Sequence, residues 1–514
     1  GHAFAARLRP FAPRPTLGQP EIPRNSHASA PAPGRQASLP AGIIMFGSDE
    51  DNKATEQRAS LLGEDADCTA ERKRGLTGFQ TGVSMVKCAL GAGSFTLPAA
   101  FLNGGLYLSF AMLVFCGGLA GYTLNLLAHC ERRVSALCSS PEEKESGFVE
   151  TSDPTRPPRR KLTYPELGRE AFPELSLTTS SGTVYNALEM IIFGGIVATS
   201  VGVGAAYIDF ITATLADLLA TWGASDINRV ETLFIILPFV LFLAYLRDVS
   251  ALAHGAVLGN IAVIVGIATV VVAGFQENGD EATMDVPAAR IRTLPGFFGP
   301  AAFLFAIHTV ILPIVQSMEK EENFVKVVAS SYSVMTVGNA VFGGLCLIIF
   351  YNSSCDAEGV DDDYTGPCPN VLDSLSGSSA VDAVRIVLCI DLLFTIPLVL
   401  IGGREILERG LLHALELERK SKAEYRACIA LRTVIVGATI ALAFGVPDFG
   451  NAVSLVGGFC NCLTAFIVPP IIHIKLMDDP KSLEGAAHAG IVVFGLVALV
   501  VTTTYTIQGI IASA

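Results

Sequence analysis

A glycine-rich interruption divides the first long apolar stretch of this sequence. Residues 91 to 98 read Gly-Ala-Gly-Ser-Phe-Thr-Leu-Pro, and they lie within the apolar run from 79 to 101. Two glycines and a proline so close together interrupt helical hydrogen bonding, and free backbone groups inside a bilayer are tolerated only within protein or beside a water-filled cavity. The pattern fits a ligand site, and it fits a kinked helix that binds nothing equally well.

Ionisable side chains inside apolar stretches form the second candidate group. Lys87 precedes the first glycine by four residues, and a lysine within a membrane helix is costly and so usually functional. The alternative is a lysine whose ammonium extends to the cytoplasmic interface. His308 lies in a later apolar stretch. Acidic residues in or near such stretches are Glu189, Asp209, Asp217, Asp382 and Asp391, of which the last is the most deeply placed.

Enzymatic chemistry has no support in the motifs of this sequence. The chain contains no His-Glu-x-x-His, no phosphate-binding loop and no nucleophile elbow. His308 and His473 lack a second ligand at i+4 that would make a metal site. We therefore expect neither an enzyme nor a metal or cofactor. A chain without a nucleotide site must draw energy for any pumping from a gradient.

The composition indicates a protein embedded in a lipid bilayer. Hydrophobic residues make up 51% of the 514 residues and charged residues 16%. Apolar runs close to the roughly 20 residues that span a bilayer recur along the chain. The sequence therefore predicts an all-α polytopic membrane protein with about eleven transmembrane helices. We place the spans at 79 to 101, 105 to 129, 183 to 219, 232 to 247, 250 to 275, 296 to 317, 328 to 351, 380 to 403, 427 to 446, 449 to 473 and 489 to 512.

Loop charges predict the orientation of these spans. Lys and Arg concentrate before helix 1, in the loop from 130 to 182 and between helices 8 and 9, so these segments face the cytoplasm. The loop from 352 to 380 has six acidic residues and no Lys or Arg, so it faces the extracytoplasmic side. The net charge of -13 resides mostly in tails and outer loops, and it gives no reason to expect nucleic acid as a partner.

The N-terminal region and one loop have compositions of their own. Residues 1 to 75 are poor in large apolar side chains, so we expect a disordered cytoplasmic tail before a membrane domain at 76 to 514. Residues 1 to 44 precede the first methionine and could be an upstream translation, a fragment or a targeting extension. Cys355 and Cys368 are the two cysteines of the outward loop, and we expect a disulfide between them.

From Gly75 onward the sequence resembles the amino acid/auxin permease family. The run Lys87-Cys-Ala-Leu-Gly-Ala-Gly-Ser-Phe-Thr-Leu-Pro98 resembles the family's first-helix motif, in which a glycine pair and a Leu-Pro surround a break. Matching segments follow in family order: Thr163-Tyr-Pro-Glu-Leu-Gly-Arg-Glu-Ala-Phe172, Ala206-Tyr-Ile-Asp-Phe210, Phe298-Gly-Pro-Ala-Ala-Phe303, Thr395-Ile-Pro-Leu398 and Leu455-Val-Gly-Gly-Phe459.

The resemblance implies two inverted five-helix repeats plus an eleventh helix, with helices 1 and 6 broken at the membrane midplane. The residue pattern also places breaks in these two helices, at 91 to 93 and before Pro313. Free N–H groups and the positive end of a half-helix suit a carboxylate, and unwound carbonyls suit an ammonium or a cation. An amino acid carries both groups. The expected contacts in helix 1 are Gly91, Ala92, Gly93 and Ser94.

The coupling ion follows from the resemblance at two positions. Sodium-coupled members have Asn four residues before the first glycine, whereas proton-coupled transporters and vacuolar exporters have Lys, as this chain does at Lys87. The ammonium of Lys87 would occupy the place at which sodium binds in the sodium-coupled members. Thr395 matches a hydroxyl that helps to hold sodium in the sodium-coupled relatives, but alone it cannot replace the lost ligand. The resemblance therefore implies a proton rather than sodium.

Helix 6 departs from the family pattern. Proton-coupled relatives have a Phe-x-Phe-Glu run, whereas this chain reads Phe303-Leu-Phe305-Ala306 and places His308 two residues later. We expect these residues to contact substrate. His308 could carry the coupled proton, line the pocket as a neutral side chain or be a satisfied core histidine, and the sequence leaves all three open.

These observations favour a secondary active transporter of small neutral amino acids. Transport would be coupled to protons and would use alternating access around helices 1, 3, 6 and 8. The expected location is the plasma membrane or a vacuolar or lysosomal membrane. The alternative is a membrane amino acid sensor that uses the same pocket and signals through its N-terminal tail.

Overall fold

A computed structural model shows that the membrane domain is built almost entirely of helices. It describes residues 76–89, 91–138, 161–178, 184–223, 227–246, 250–305, 307–355, 364–415, 421–446, 448–477 and 482–513. These residues belong to one compact unit. The expected tail at 1 to 75 and residues 139 to 160 of the cytoplasmic loop lie outside the described residues, so the expectations for them stay predictions.

The helices follow one another with short connections. In chain order they are α1 (Gly78–Ala89), α2 (Leu97–Gly104), α3 (Leu106–Cys138), α4 (Tyr164–Ala171), α5 (Ala187–Thr221), α6 (Arg229–Tyr245), α7 (Ser250–Asn278), α8 (Leu294–Phe305), α9 (His308–Gln316), α10 (Phe324–Phe350), α11 (Ser379–Ala414), α12 (Lys422–Gly445), α13 (Phe449–Leu455), α14 (Val468–Leu476) and α15 (Leu483–Ser513). A two-stranded antiparallel hairpin of β1 (Ser176–Thr178) and β2 (Val184–Asn186) precedes α5.

The helices agree with the predicted spans. Within the described ranges, nine helical segments are long and apolar enough to cross a membrane. The two other predicted spans are the interrupted pair α1 and α2 and the 17-residue α6. The spans placed at 183 to 219 and 232 to 247 differ in length, and so do the helices found there, with 35 residues in α5 and 17 in α6. The chain is an all-α polytopic membrane protein.

Both predicted interruptions are present, and a third was not foreseen. Helix α1 ends at Ala89, a 3₁₀ turn covers Ala92–Thr96, and α2 begins at Leu97 with a proline in its first turn. The interruption of span 6 separates α8 from α9, and Pro313 lies inside α9 rather than at the break. In span 10 a π-helical segment, Val456–Ile467, joins α13 to α14.

Glycines allow these interrupted segments to pack closely. A Cβ at Gly93 would stand 2.7 Å from two ring atoms of Phe303, and a Cβ at Gly457 would overlap the carbonyl oxygen of Gly299. The two glycines therefore bring the break of span 1 and the π segment of span 10 against α8. Because π-helical segments are often found at functional sites, this arrangement indicates a functional role for the region.

The side of the domain that loop charges predict to face outward, called the outer side below, is closed above the interruption of span 1. The rings of Phe210 and Phe449 pack edge to face with centroids 5.3 Å apart. Asp209, whose side chain is buried, pairs with Arg229 at the start of α6. A 3₁₀ turn at Val371–Ser374 in the outer loop packs against the turn at Ala92–Thr96. Span 3 and span 10 are thus in direct contact on this side.

The same outer loop contains a disulfide and a buried acid. Cys355 and Cys368 are joined in a disulfide, as the sequence led us to expect. Burial raises the pKa of Asp373 to about 7, although the positive charge of Arg385 opposes the shift. The Arg385 guanidinium donates to the carbonyl oxygen of Leu372 at 2.8 Å. The loop is therefore tied both to itself and to α11.

Candidate functional site

A cavity of about 260 Å³ lies where the interruptions of spans 1 and 6 meet. Gly91 contributes from span 1, and Phe303 and Ile307 contribute from the two sides of the break in span 6. The remaining wall comes from α5, α7, α9, α11 and the π segment of span 10. On α5 and α11 the lining residues lie in the middle of helices of 35 and 36 residues. The cavity is therefore near the centre of the membrane domain.

Of the four contact residues predicted in span 1, one lines the cavity and three do not. Gly91 lines the cavity, and a Cβ at this position would stand 3.7 Å from the hydroxyl of Tyr207. Ala92, Gly93 and Ser94 are buried behind it. The Ser94 amide donates to the Gly91 carbonyl at 3.0 Å, so this amide is already used within the turn. Of the four predicted residues, Gly91 is the one that borders the cavity.

The residues predicted in span 6 also differ in whether they line the cavity. Phe303 lines the cavity, whereas Phe305 is fully buried and stacks on Tyr332 with centroids 5.8 Å apart. The Tyr332 hydroxyl donates to the Phe305 carbonyl at 2.6 Å, which satisfies a backbone group freed by the break. Ala306 lies outside the described residues. Thr309, which sequence reasoning did not select, lines the cavity instead.

His308 is buried against span 2 rather than exposed to the cavity. Its Nε2 lies 2.9 Å from the Thr123 hydroxyl, which also lies 3.1 Å from the Ala120 carbonyl. The side chain is fully buried and is not part of the cavity wall. The ring thus connects α9 to α3 through Thr123, and its Nδ1 is buried without a hydrogen-bond partner among the described residues.

The wall formed by α11 carries the ionisable group of the cavity. Thr395 lines the cavity, and its hydroxyl donates to the backbone carbonyl of Asp391 at 2.8 Å. Asp391 itself is the one charged side chain among the described lining residues. Among the acidic candidates selected from the sequence, Asp391 is the most deeply placed. Lys87 lies in the last turn of α1, and its side chain lies outside the described part of the chain.

Span 10 supplies a polar group that sequence reasoning missed. Asn461 is 2% exposed and lines the cavity from the π segment. Its amide nitrogen lies 3.5 Å from the Ala302 carbonyl, and its amide oxygen has no hydrogen-bond partner among the described residues. A buried, unsatisfied acceptor beside a cavity is suited to a ligand with N–H groups. The glycine pair just before it, Gly457 and Gly458, was the available signal.

The polar groups of the cavity wall are hydroxyls, one amide and one carboxylate. Within the described ranges, no group of three or more His, Cys, Asp or Glu could hold a metal ion. The lining otherwise combines aliphatic side chains with the hydroxyls of Thr199, Ser200 and Tyr207. An all-helical membrane protein with a central cavity at two interrupted spans belongs to the class of solute carriers.

Comparison with known proteins identifies the family. The family model described as "Transmembrane amino acid transporter protein" matches residues 74–508. The chain belongs to this family, as the resemblance in its motifs indicated. It is a multi-pass integral membrane protein, and its general function is amino acid transport.

Individual relatives are similar along most of the chain. "Amino acid transporter ANT1" of Arabidopsis thaliana is 26% identical over 84% of this chain and 92% of that protein. "Proton-coupled amino acid transporter-like protein pathetic" of Drosophila melanogaster is 22% identical over 84% of each. "Vacuolar amino acid transporter 3" of Schizosaccharomyces pombe is 23% identical over 76% of this chain and 52% of its own length.

Proposed function

We propose that this protein is a secondary active transporter that moves small neutral amino acids together with protons by alternating access. The observation that carries the proposal is the cavity at the two interrupted spans, bordered by Gly91 and by the buried amide of Asn461. A substrate carboxylate would face the interruption of span 1, where the N-terminal end of a helix favours an anion. The Asn461 amide oxygen would accept a hydrogen bond from the substrate ammonium.

The size and polarity of the cavity support a small neutral substrate. Its volume of about 260 Å³ lies just below the range of about 300–1,000 Å³ typical of pockets for drug-sized ligands. Ile196, Val203, Val263 and Ile307 provide aliphatic wall. Such a wall stabilises an apolar side chain and gives a charged side chain no partner, so uncharged amino acids should be favoured.

The closed outer side supports alternating access. The contact between Phe210 and Phe449 and the ion pair between Asp209 and Arg229 join span 3 to its neighbours outside the cavity. For a substrate to enter from that side these contacts must separate. In the proposed cycle this arrangement would be one of at least two states, and the other would open these contacts.

A proton is the proposed coupling ion. The family pattern at Lys87 supports this choice, and one similar protein is named a proton-coupled amino acid transporter-like protein. A fixed ammonium repels a second cation a few Å away by several kcal/mol at low dielectric.

A vacuolar membrane is one candidate location, because a relative carries that name; the plasma membrane is the other.

Uptake into proteoliposomes tests the proposal. The purified full-length protein should take up radiolabelled alanine or leucine in preference to glutamate or lysine. An inward proton gradient should stimulate uptake, and replacing sodium by choline should not change it. A strict sodium requirement, or equal uptake of charged amino acids, would contradict the proposal. Alanine binding without counterflow of labelled alanine would instead indicate a sensor.

A further inference from the structure

We propose that Tyr164 of α4, in the loop predicted to face the cytoplasm, is a positioning residue that holds Asn461 in the cavity wall. The inference deepens the proposed function and rests on it, because there Asn461 binds the substrate ammonium. Tyr164 is not among the described lining residues of the cavity. It acts through the backbone of the π segment, in which Asn461 lies.

The contact between α4 and the π segment is a single buried hydrogen bond. The Tyr164 hydroxyl donates to the backbone carbonyl of Thr464 at 2.7 Å, across 300 positions of sequence. Both residues are buried, with 3% and 1% of their surfaces exposed. A buried carbonyl needs a donor, and here a side chain from a distant part of the chain supplies it.

Pro469 explains why this carbonyl takes a donor from outside its own helix. In a π-helix each carbonyl accepts from the N–H five residues later. At the end of the segment the Val468 N–H donates to the Leu463 carbonyl in this way. The next acceptor is Thr464, and the residue five positions after it is Pro469, which has no N–H. The Tyr164 hydroxyl therefore takes the place of the missing N–H.

Helix α4 fixes the position of this hydroxyl. Tyr164 is its first residue, and the helix begins with a capping box in which the side chains of Thr163 and Glu166 bond to each other's backbone N–H groups. Gly168 lets the helix lie close to α5, since a Cβ there would stand 2.4 Å from a side-chain carbon of Ile192. The donor is thus held by a capped and closely packed turn.

The segment before α4 also contacts the inner half of span 6. The side-chain amide of Gln316, at the end of α9, donates to the Leu162 carbonyl at 3.0 Å. Leu162 is buried and precedes Tyr164 by two residues. The same short segment therefore joins span 6 to span 10. A displacement of α9 during transport would be transmitted to Thr464.

The direction of the Asn461 side chain depends on the geometry of the π segment. Asn461 lies three residues before Thr464 and lines the cavity. Without the Tyr164 hydroxyl, the Thr464 carbonyl recovers a donor by taking the N–H of Val468 four residues later, which is the α-helical pattern. A change from π to α bonding turns the preceding side chains about the helix axis. The bond from Tyr164 therefore favours the geometry that directs Asn461 into the cavity.

Four substitutions test this role. Tyr164→Phe removes the hydroxyl and keeps the ring, and Asn461→Ala removes the group that is positioned. Pro469→Ala restores an N–H at the place where the proline lacks one, so it should make the tyrosine hydroxyl dispensable. Tyr364→Phe is the matched control, because its hydroxyl also donates to a backbone carbonyl, at 2.9 Å, but in the outer loop.

Exchange of internal for external radiolabelled alanine in proteoliposomes gives the half-saturating concentration and the maximal rate. Tyr164→Phe should raise the half-saturating concentration about 2- to 10-fold and leave the maximal rate per molecule unchanged. Asn461→Ala should raise it about 10- to 150-fold, because hydrogen bonds to charged groups are stronger. The double variant of these two should equal Asn461→Ala alone, since both act through one contact. Tyr164→Phe with Pro469→Ala should return to the wild-type value, which Tyr364→Phe should also show.

Hydrogen–deuterium exchange reports on the π segment without any substrate. Peptides that cover residues 456 to 467 should exchange faster in Tyr164→Phe than in the wild type. Adding Pro469→Ala should slow this exchange again, and Tyr364→Phe should leave it unaltered. This measurement does not depend on which amino acid the protein transports.

Each other outcome overturns a defined part of the inference. An unchanged half-saturating concentration in Tyr164→Phe would overturn it, and a lower maximal rate alone would make Tyr164 a structural residue. Further loss in the double variant with Asn461→Ala would show that Tyr164 does not act through Asn461. Should Tyr164→Phe not fold, the double variant with Pro469→Ala decides, and its failure to fold would overturn the inference. If the wild type does not exchange alanine, the proposed function fails, and deuterium exchange at 456 to 467 still decides whether Tyr164 holds the π segment.

Discussion

Gly93 connects the interruption of span 1 to the shape of the cavity, and its replacement by alanine tests that connection. A Cβ at this position would lie 2.7 Å from two ring atoms of Phe303. Cβ atoms in folded proteins essentially never approach a neighbour so closely, so the ring must move. Phe303 also lines the cavity, and the cavity is the open space beside it. We therefore expect the methyl group to push the ring into the volume that the substrate uses.

The expected loss follows from the cost of overpacking. Extra methyl groups in a packed interior cost about 1–3 kcal/mol. If the displaced ring occupies substrate volume, a similar free energy is lost from binding, which corresponds to an affinity about 5- to 150-fold weaker. Gly93→Val adds two further methyl groups and should abolish binding, although the protein still reaches the membrane.

The concentration dependence of alanine exchange measures this effect, with protein amount determined in parallel. Gly194→Ala is the matched control, because a Cβ there would have nothing within 4 Å. Phe303→Leu combined with Gly93→Ala should recover part of the affinity, since the smaller side chain relieves the contact. Unchanged affinity in Gly93→Ala, or no recovery in the double variant, would refute this account of the cavity.

Three further predictions concern other parts of the domain. His308→Ala should lower the free energy of unfolding by about 2–5 kcal/mol, because a buried ring packed against Thr123 is lost. Thermal unfolding and alanine exchange should show a less stable but active protein. Selective loss of pH-driven accumulation would contradict this prediction. Because burial raises the pKa of Asp373 from 3.8 to about 7, the folded state holds a proton that the unfolded state releases, so stability should fall as pH rises through that window. Asp373→Asn should flatten this dependence in thermal scans of the detergent-solubilised protein, and an unaltered slope would exclude Asp373 as its source. Reducing the Cys355–Cys368 disulfide, whose cysteines are 13 residues apart, should lower the free energy of unfolding by about 3 kcal/mol. The stability of Cys355→Ser should not change with reductant. Equal responses of the two proteins would contradict the prediction.

The spans and two interruptions could be predicted because their signals are local. A span needs a run of apolar residues of sufficient length, and an interruption needs glycine or proline within it. Gly91 to Pro98 met both conditions, and the structure breaks span 1 between Ala89 and Leu97. The π segment at Val456–Ile467 was missed, since its Gly457 and Gly458 are compatible with an ordinary helix until packing against α8 is known.

The direction in which each side chain points could not be predicted in the same way. Phe303 and Phe305 are both apolar and two residues apart, yet one lines the cavity and the other packs on Tyr332. A soluble helix reveals its buried face by an apolar stripe, but a membrane helix is apolar on all sides. For the same reason the sequence left three roles open for His308, and its contact with Thr123 appears only in the folded chain.

By itself, the sequence determined the fold class, the approximate positions of the spans, and the family, because each depends on composition and motifs that are read along the chain. Only the tertiary structure placed Asp391 against Gly259, which are 132 positions apart. It also brings together His129, His473 and His488 from three spans, with successive ring centroids 5.8 and 4.8 Å apart, although His473 has no partner nearby in the sequence. Such contacts depend on how helices pack across the bundle, and packing is decided by the matching of small and large side chains between helices rather than by any pattern within one of them.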